Sequence, residues 1–137
     1  MINRKAKGTK GERELVKMFN EAGWAAIRIA GSGSSQYPSP DLLAGNAIRR
    51  LAIECKVTKE NKKYFQKTEI AQLDFFSKHF GAESWVGMKF PNSPWYFLML
   101  EDLNDTGKCY SVSLELAKRR GLTSEELIQL NKENRKV

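Results

Sequence analysis

The segment DLLAGNAIRRLAIECKV, Asp41 to Val57, constrains the fold more than any other stretch of this chain. From Leu51 onward, Leu51, Ile53, Cys55 and Val57 alternate onto one side of an extended backbone, and Ala52, Glu54 and Lys56 onto the other. That period of two predicts a strand. DLLAGN reads as a short apolar strand turning at Gly45-Asn46, with Arg50 to Val57 returning beside it as hairpin partner. A carboxylate and an ammonium on one face of an otherwise hydrophobic strand have two readings. They are solvent-side residues of an edge strand, or they are part of a site.

The flanking sequence supplies helices and further strands. Thr9 and Glu12 have capping-box spacing, and Leu15, Val16, Phe19 and Ala22 recur on one face, which predicts a helix over Thr9 to Ala22 ending at Gly23. Trp24 to Ala30 reads as a strand, and Gly31 to Pro40 as a loop rich in Gly, Ser and Pro. A second helix is expected from Glu69 to Phe80, with Ile70, Leu73, Phe76 and Phe80 at helical spacing and Gly81 as its stop. Trp85 to Phe90 and Trp95 to Leu100 read as strands around a Pro91 to Pro94 turn. The end of the chain reads as helical, its last segment opened by a Thr123/Glu126 capping box, and the charged tail (about 131–137) is expected to fray. The fold class that results is α/β, a central mixed β-sheet flanked by helices.

With 137 residues, 41% of them hydrophobic, and neither an internal repeat nor a dividing linker, the chain is expected to form a single domain over 1–137. No apolar run approaches the roughly 18 to 20 residues that a membrane span requires, so no membrane partner is expected. Met1 to Lys10 is basic with no apolar segment behind it, which points to an intracellular location. Cys55 and Cys109 lack zinc-site spacing, and the single His79 leaves little room for His-based metal or Ser-His chemistry. Cys55 is expected simply to be buried. A net charge of +7 favours a polyanionic partner, nucleic acid first. Arg4, Lys5, Lys7 and Lys10 read as a basic arm (about 1–8) for phosphates, and Lys59, Lys62, Lys63 and Lys67 as a second positive patch, with solvated charge as the plain alternative for both.

The hairpin brings Asp41 near one end of the face that carries Glu54 and Lys56. Two carboxylates at a strand end can hold Mg²⁺ through oxygen, with the carbonyl of Cys55 as a further ligand, while a neighbouring lysine orients the attacking water or balances charge at a phosphate.

SPD at Ser39 to Asp41, followed after residues 42–53 by ECK at Glu54 to Lys56, resembles the PD-(D/E)XK nuclease signature. KGTKGERELVKMF, IRIAGSGS, DLLAGN and IECKVTK, taken together and in order, are similar to archaeal-type Holliday junction resolvases. The resemblance implies a restriction-endonuclease-like nuclease fold. It implies Glu12, Asp41, Glu54 and Lys56 as active-site residues, the three carboxylates and the Cys55 carbonyl facing the metal, and Arg13, Arg28 and Ser32 as phosphate or active-site contacts. Glu12 has a competing reading as the reciprocal member of its capping box, and a carboxylate turned to its own helix end is less available to a metal. Arg28 points either to this cluster or to water, and Ser32 is otherwise a plain loop residue. Phe76 and Phe80 would pack as core in most proteins, but the resemblance places such a pair at a subunit interface.

The function so implied is Mg²⁺-dependent hydrolysis, with Mn²⁺ able to substitute, of a phosphodiester in each of two opposed strands of a four-way DNA junction. Two symmetric nicks call for a homodimer, and the location expected is cytoplasmic and nucleoid-associated. Two alternatives are a PD-(D/E)XK nuclease acting on other DNA structures and a non-catalytic DNA-binding protein with structural carboxylates.

Overall fold

The computed structural model describes the backbone of residues 4–31 and 36–130, with side chains from residue 8 onward within those ranges. In chain order the elements are α1 (Arg4–Glu21), β1 (Ala25–Arg28), β2 (Leu42–Gly45), β3 (Arg50–Val57), β4 (Lys62–Gln66), α2 (Lys67–Phe80), β5 (Glu83–Lys89), β6 (Trp95–Leu98), a 3-10 turn (Leu100–Asp102), β7 (Asn104–Asp105), β8 (Cys109–Ser113), α3 (Leu114–Arg120) and α4 (Ser124–Gln129).

The hairpin read from the sequence is present: β2 pairs antiparallel with β3, Leu42 opposite Ile53 and Gly45 opposite Arg50. Its turn is tied by Asn46, whose Oδ1 accepts from the amides of Ile48 and Arg49 at 2.8 and 2.7 Å. β3 is the middle strand of a five-stranded sheet ordered β1-β2-β3-β5-β6, and it runs parallel to β5 after the α2 crossover. The sheet is therefore mixed, and helices cover it.

Both faces of β3 are buried, which is why Leu51, Ala52 and Ile53 are all inaccessible to water. Leu51, Ile53 and Cys55 pack with Leu15 and Phe19 of α1 and Leu127 of α4. Ala52 packs on the opposite side with Ile70 and Leu73 of α2, Val86 of β5 and Ala117 of α3. The close seat of α1 depends on Gly11: a Cβ there would stand 2.7 Å from Val57 Cγ2 and 3.3 Å from the Trp95 ring.

The start of β3 is locked by Arg49, a buried residue. Its guanidinium makes two bonds to the Glu83 carboxylate, at 2.9 and 3.0 Å, and donates to the carbonyls of Leu127 and Leu130 at 2.6 and 2.9 Å. One side chain thus joins the β2–β3 turn, β5 and α4.

Several expectations change. The first helix begins at Arg4, not Thr9, so Arg4 to Gly8 of the anticipated basic arm are helical and Thr9 lies inside the helix. The first strand contracts from Trp24–Ala30 to Ala25–Arg28, and the second helix starts at Lys67, before Glu69. The basic stretch after β3 holds β4, which pairs with β8 in a second, three-stranded sheet ordered β4-β8-β7. In β4 Lys62, Tyr64 and Gln66 face water while Phe65 is fully buried, so one apolar side chain anchors a strand that reads as polar. The Thr123/Glu126 capping box is formed as the spacing predicts, with reciprocal bonds of 2.9 and 3.2 Å. The tail at 131–137 lies outside the described residues.

Candidate active site

β2 begins at Leu42, opposite Ile53, so Glu54 to Val57 of β3 extend past its pairing and keep only β5 as a strand neighbour. Asp41 closes the resulting notch. Its amide donates to the Ile53 carbonyl at 3.1 Å, its carbonyl accepts from Ile29 at 2.9 Å, and its Oδ2 accepts from the Cys55 amide at 2.9 Å. The side chain thereby takes a backbone donor that lies beyond the end of β2, and Asp41 is buried there.

Glu54 and Lys56 share a strand face as the alternation requires, with Lys56 Nζ 3.8 Å from Glu54 Oε1. Burial, and then the Asp41 charge beside it, push the Glu54 carboxyl up to about 8, against the opposing pull of Lys56. Two carboxyl groups held this closely are stabilised by a proton or by a cation. Burial likewise raises the Cys55 thiol, which stays protonated.

Glu12 sits in mid-helix and makes no capping box, which removes the competing reading of this residue. It accepts instead from Arg28 Nε at 2.9 Å, and Arg28 Nη2 reaches Thr9 Oγ1 at 3.2 Å. Arg28 therefore points inward to α1, not to water. The Glu12 carboxyl is raised by burial and by the Asp41 charge, and Arg28 pulls it the other way. Glu12 thus feels Asp41 electrostatically, although among the described residues no three His, Cys, Asp or Glu side chains converge closely enough to hold a metal ion unaided. Asp41 and Glu54 are the pair presented. Glu12 feels the Asp41 charge and is held by Arg28.

The basic residues divide by environment. Lys10, Arg13, Lys59 and Lys62 are exposed, and Lys62 Nζ lies 5.4 Å from the centre of the Tyr64 ring. Lys63 is half-buried. Lys67 is committed elsewhere, to Asp105 at 2.6 Å and to the Tyr110 ring at 4.1 Å. Ser32 and the side chains of Arg4, Lys5 and Lys7 lie outside the described residues.

On α2, Phe76 and Phe80 stack with ring centres 5.1 Å apart. Phe76 packs against the core, whereas Phe80 is 51% exposed, so the plain core reading covers only the first. Sequence reasoning missed one residue next to the site. Glu69 Oε2 lies 3.7 Å from Lys56 Nζ, and Glu69 was read only as the first residue of its helix.

A family model described as archaeal Holliday junction resolvase (Hjc) matches residues 3–136. The crossover junction endodeoxyribonuclease Hjc of Archaeoglobus fulgidus is 42% identical over 129 residues, which span 89% of this chain and 95% of that protein. The protein of the same name from Methanocaldococcus jannaschii is 35% identical over 112 residues, 82% of this chain and 80% of that protein. Among solved structures, that of Archaeoglobus fulgidus Hjc, titled a Holliday junction resolvase from an archaeal hyperthermophile, superposes with a TM-score of 0.82 at 39% identity, covering 87% of this chain and 96% of that one. The resemblance seen in four short motifs thus extends over nearly the whole chain and its mixed sheet, and the chain belongs to the archaeal Holliday junction resolvase (Hjc) family.

Proposed function

We propose that this protein is a structure-specific endonuclease that resolves four-way DNA junctions by hydrolysing one phosphodiester in each of two opposed strands. The observation that carries the reading is the pairing of Asp41 and Glu54 in the notch beyond β2, with the Lys56 ammonium 3.8 Å from Glu54. Burial and the neighbouring Asp41 charge raise the Glu54 carboxyl to about 8, and a divalent ion between the two carboxylates would offset that repulsion in place of the proton. Its donors are hard oxygens, which suits a divalent ion of the Mg²⁺ or Mn²⁺ kind.

Asp41, Glu54 and the Cys55 carbonyl would hold that ion, with Glu12 to hold a water. When bound, it supplies Lewis acidity to the scissile phosphate. Lys56 donates to the attacking water and to the phosphate, orienting the one and offsetting the charge that grows on the other. A P–O bond from water replaces one ester P–O bond, and the released alkoxide takes a proton.

A single site makes a single nick, so paired nicks need two sites related by a two-fold axis. Phe80, exposed and stacked on Phe76, gives α2 an apolar surface for a second copy of this chain. Lys10, Arg13, Lys59 and Lys62, with Arg4, Lys5, Lys7 and Ser32, would meet phosphates, and Arg28 would act through Glu12. Contacts of this kind read backbone geometry and weaken steeply with salt. Among the described residues no helix is long and apolar enough to cross a membrane. A DNA substrate places the work in the cytoplasm, at the nucleoid.

The test is an end-labelled immobile four-way junction beside a linear duplex of equal length, incubated with Mg²⁺ and then with a chelator. Symmetric paired nicks on the junction alone, lost with the chelator and in Asp41→Asn and Glu54→Gln, are expected. Equal cutting of the duplex would move the reading to another DNA structure. Binding without cutting in either Mg²⁺ or Mn²⁺ would leave a DNA-binding protein.

A further inference from the structure

We infer that Glu69 is the positioning residue for Lys56: its carboxylate, fixed at the start of α2, keeps the Lys56 ammonium at the Asp41/Glu54 pair. The inference rests on the role given to Lys56 in the proposed reaction. Lys56 Nζ lies between two carboxylates, 3.8 Å from Glu54 Oε1 and 3.7 Å from Glu69 Oε2. A lysine stem has several rotatable bonds, so the place of its ammonium is set by what surrounds it. Of the two neighbours, Glu54 faces Asp41 and would turn its charge to a bound cation, which weakens its hold on Lys56.

Glu69 has no such second duty. Its Oε1 accepts from the Gln66 amide at 3.4 Å, in the first turn of α2, which leaves Oε2 toward Lys56. The nearby Lys67 does not compete for it, being bonded to Asp105 at 2.6 Å. α2 therefore carries an anchored carboxylate from the face that covers the sheet to the lysine on the catalytic strand. The plain alternative is that Glu69 serves only its helix, since an acid in the first turn favours the helix dipole.

Glu69→Gln separates the two. Glutamine keeps an oxygen for the Gln66 amide and removes the charge. Single-turnover nicking of the junction should fall roughly tenfold to a hundredfold, the scale of a misplaced reacting group. Junction Kd and Tm should stay at wild-type values. In the metal-free protein, ¹³C relaxation at the Lys56 Cε should show the ammonium arm moving more freely. Lys56→Ala and the double variant Lys56→Ala/Glu69→Gln should cut at one residual rate, because Glu69 acts through Lys56.

A wild-type rate in Glu69→Gln with Lys56→Ala inactive would overturn the inference and leave the site intact. So would a loss restored by raising Mg²⁺, which would make Glu69 a contributor to metal affinity. A fall in Tm without increased Lys56 motion would return Glu69 to its helix. Wild-type cutting by Lys56→Ala would instead reject the site itself.

Discussion

Arg28 Nε donates to Glu12 Oε1 at 2.9 Å, tying the edge strand β1 to the middle of α1 beside the carboxylate pair. The two side chains are 25% and 16% exposed, so the bond is shielded from water. Arg28→Met should destabilise the protein by about 1.5–3 kcal/mol, the range for a hydrogen bond to a charged group, as read from urea unfolding. The Glu12 carboxyl should titrate higher still, since the variant removes the Arg28 charge and hydrogen bond that hold it down and leaves only the weaker pull of Lys56. An NMR titration showing Glu12 unmoved would reject this coupling.

Glu54 sets a pH dependence whose sign follows from its position. Its folded-state value, about 8, lies above the 4.5 of an unperturbed glutamate, so the folded protein binds this proton more tightly than the unfolded chain. The contribution is fully present below about pH 4.5 and is lost as the pH rises through about 8. Melting of the chelator-treated protein should therefore show Tm falling across that window, and Glu54→Gln should remove this component. Added Mg²⁺ should restore Tm most at the alkaline end, where the ion no longer competes with the proton. A Glu54→Gln profile that matches wild type would reject the assignment.

Arg49 is the structural counterpart of these site residues. Arg49→Met takes the guanidinium from the Glu83 carboxylate, which keeps its bond from Trp85 Nε1, and removes the Arg49 donors to the carbonyls of Leu127 and Leu130. Loss of one partner of a buried pair costs about 3–5 kcal/mol, measurable by urea unfolding. Hydrogen exchange should accelerate first in α4, which Arg49 holds to the sheet. A loss confined to a few tenths of a kcal/mol would show that the clamp is idle.

Phe80 tests the proposed two-fold assembly. Because Phe80 is 51% exposed, Phe80→Asp should leave the monomer folded with little change in Tm. Sedimentation should show the dimer dissociating, and paired nicking should decay into uncoupled single nicks. A stable dimer in the variant would place the interface elsewhere.

The strand that carries Glu54 and Lys56 was legible because its signal is local: alternation from Leu51 to Val57 places Glu54 beside Lys56 whatever surrounds them. The hairpin did the same for Asp41. What stayed hidden depends on partners distant in sequence. Thr9 and Glu12 carry a genuine capping-box spacing, yet the helix continues N-terminal to them, and only the fold supplies Arg28 as the partner Glu12 takes. β4 was missed because Phe65 alone of its residues is fully buried, against a β8 strand that follows far along the chain. Glu69 was missed because helical spacing says which residues face inward, and nothing about a carboxylate at a helix start meeting a lysine on another element.

The parallel pair β3 and β5 is flanked by β2 and β6 and covered on both faces. Peptide groups so enclosed exchange their hydrogens with solvent only when the whole domain opens. Leu51, Ala52 and Ile53 keep the slowest clock in the molecule, and Glu54, Cys55 and Lys56 stand at the end of that pair, where β2 has stopped and only β5 and the Asp41 side chain hold them. Whatever yields to admit a branched duplex must be found at the sheet's edges and in the connections outside it, or in the DNA itself.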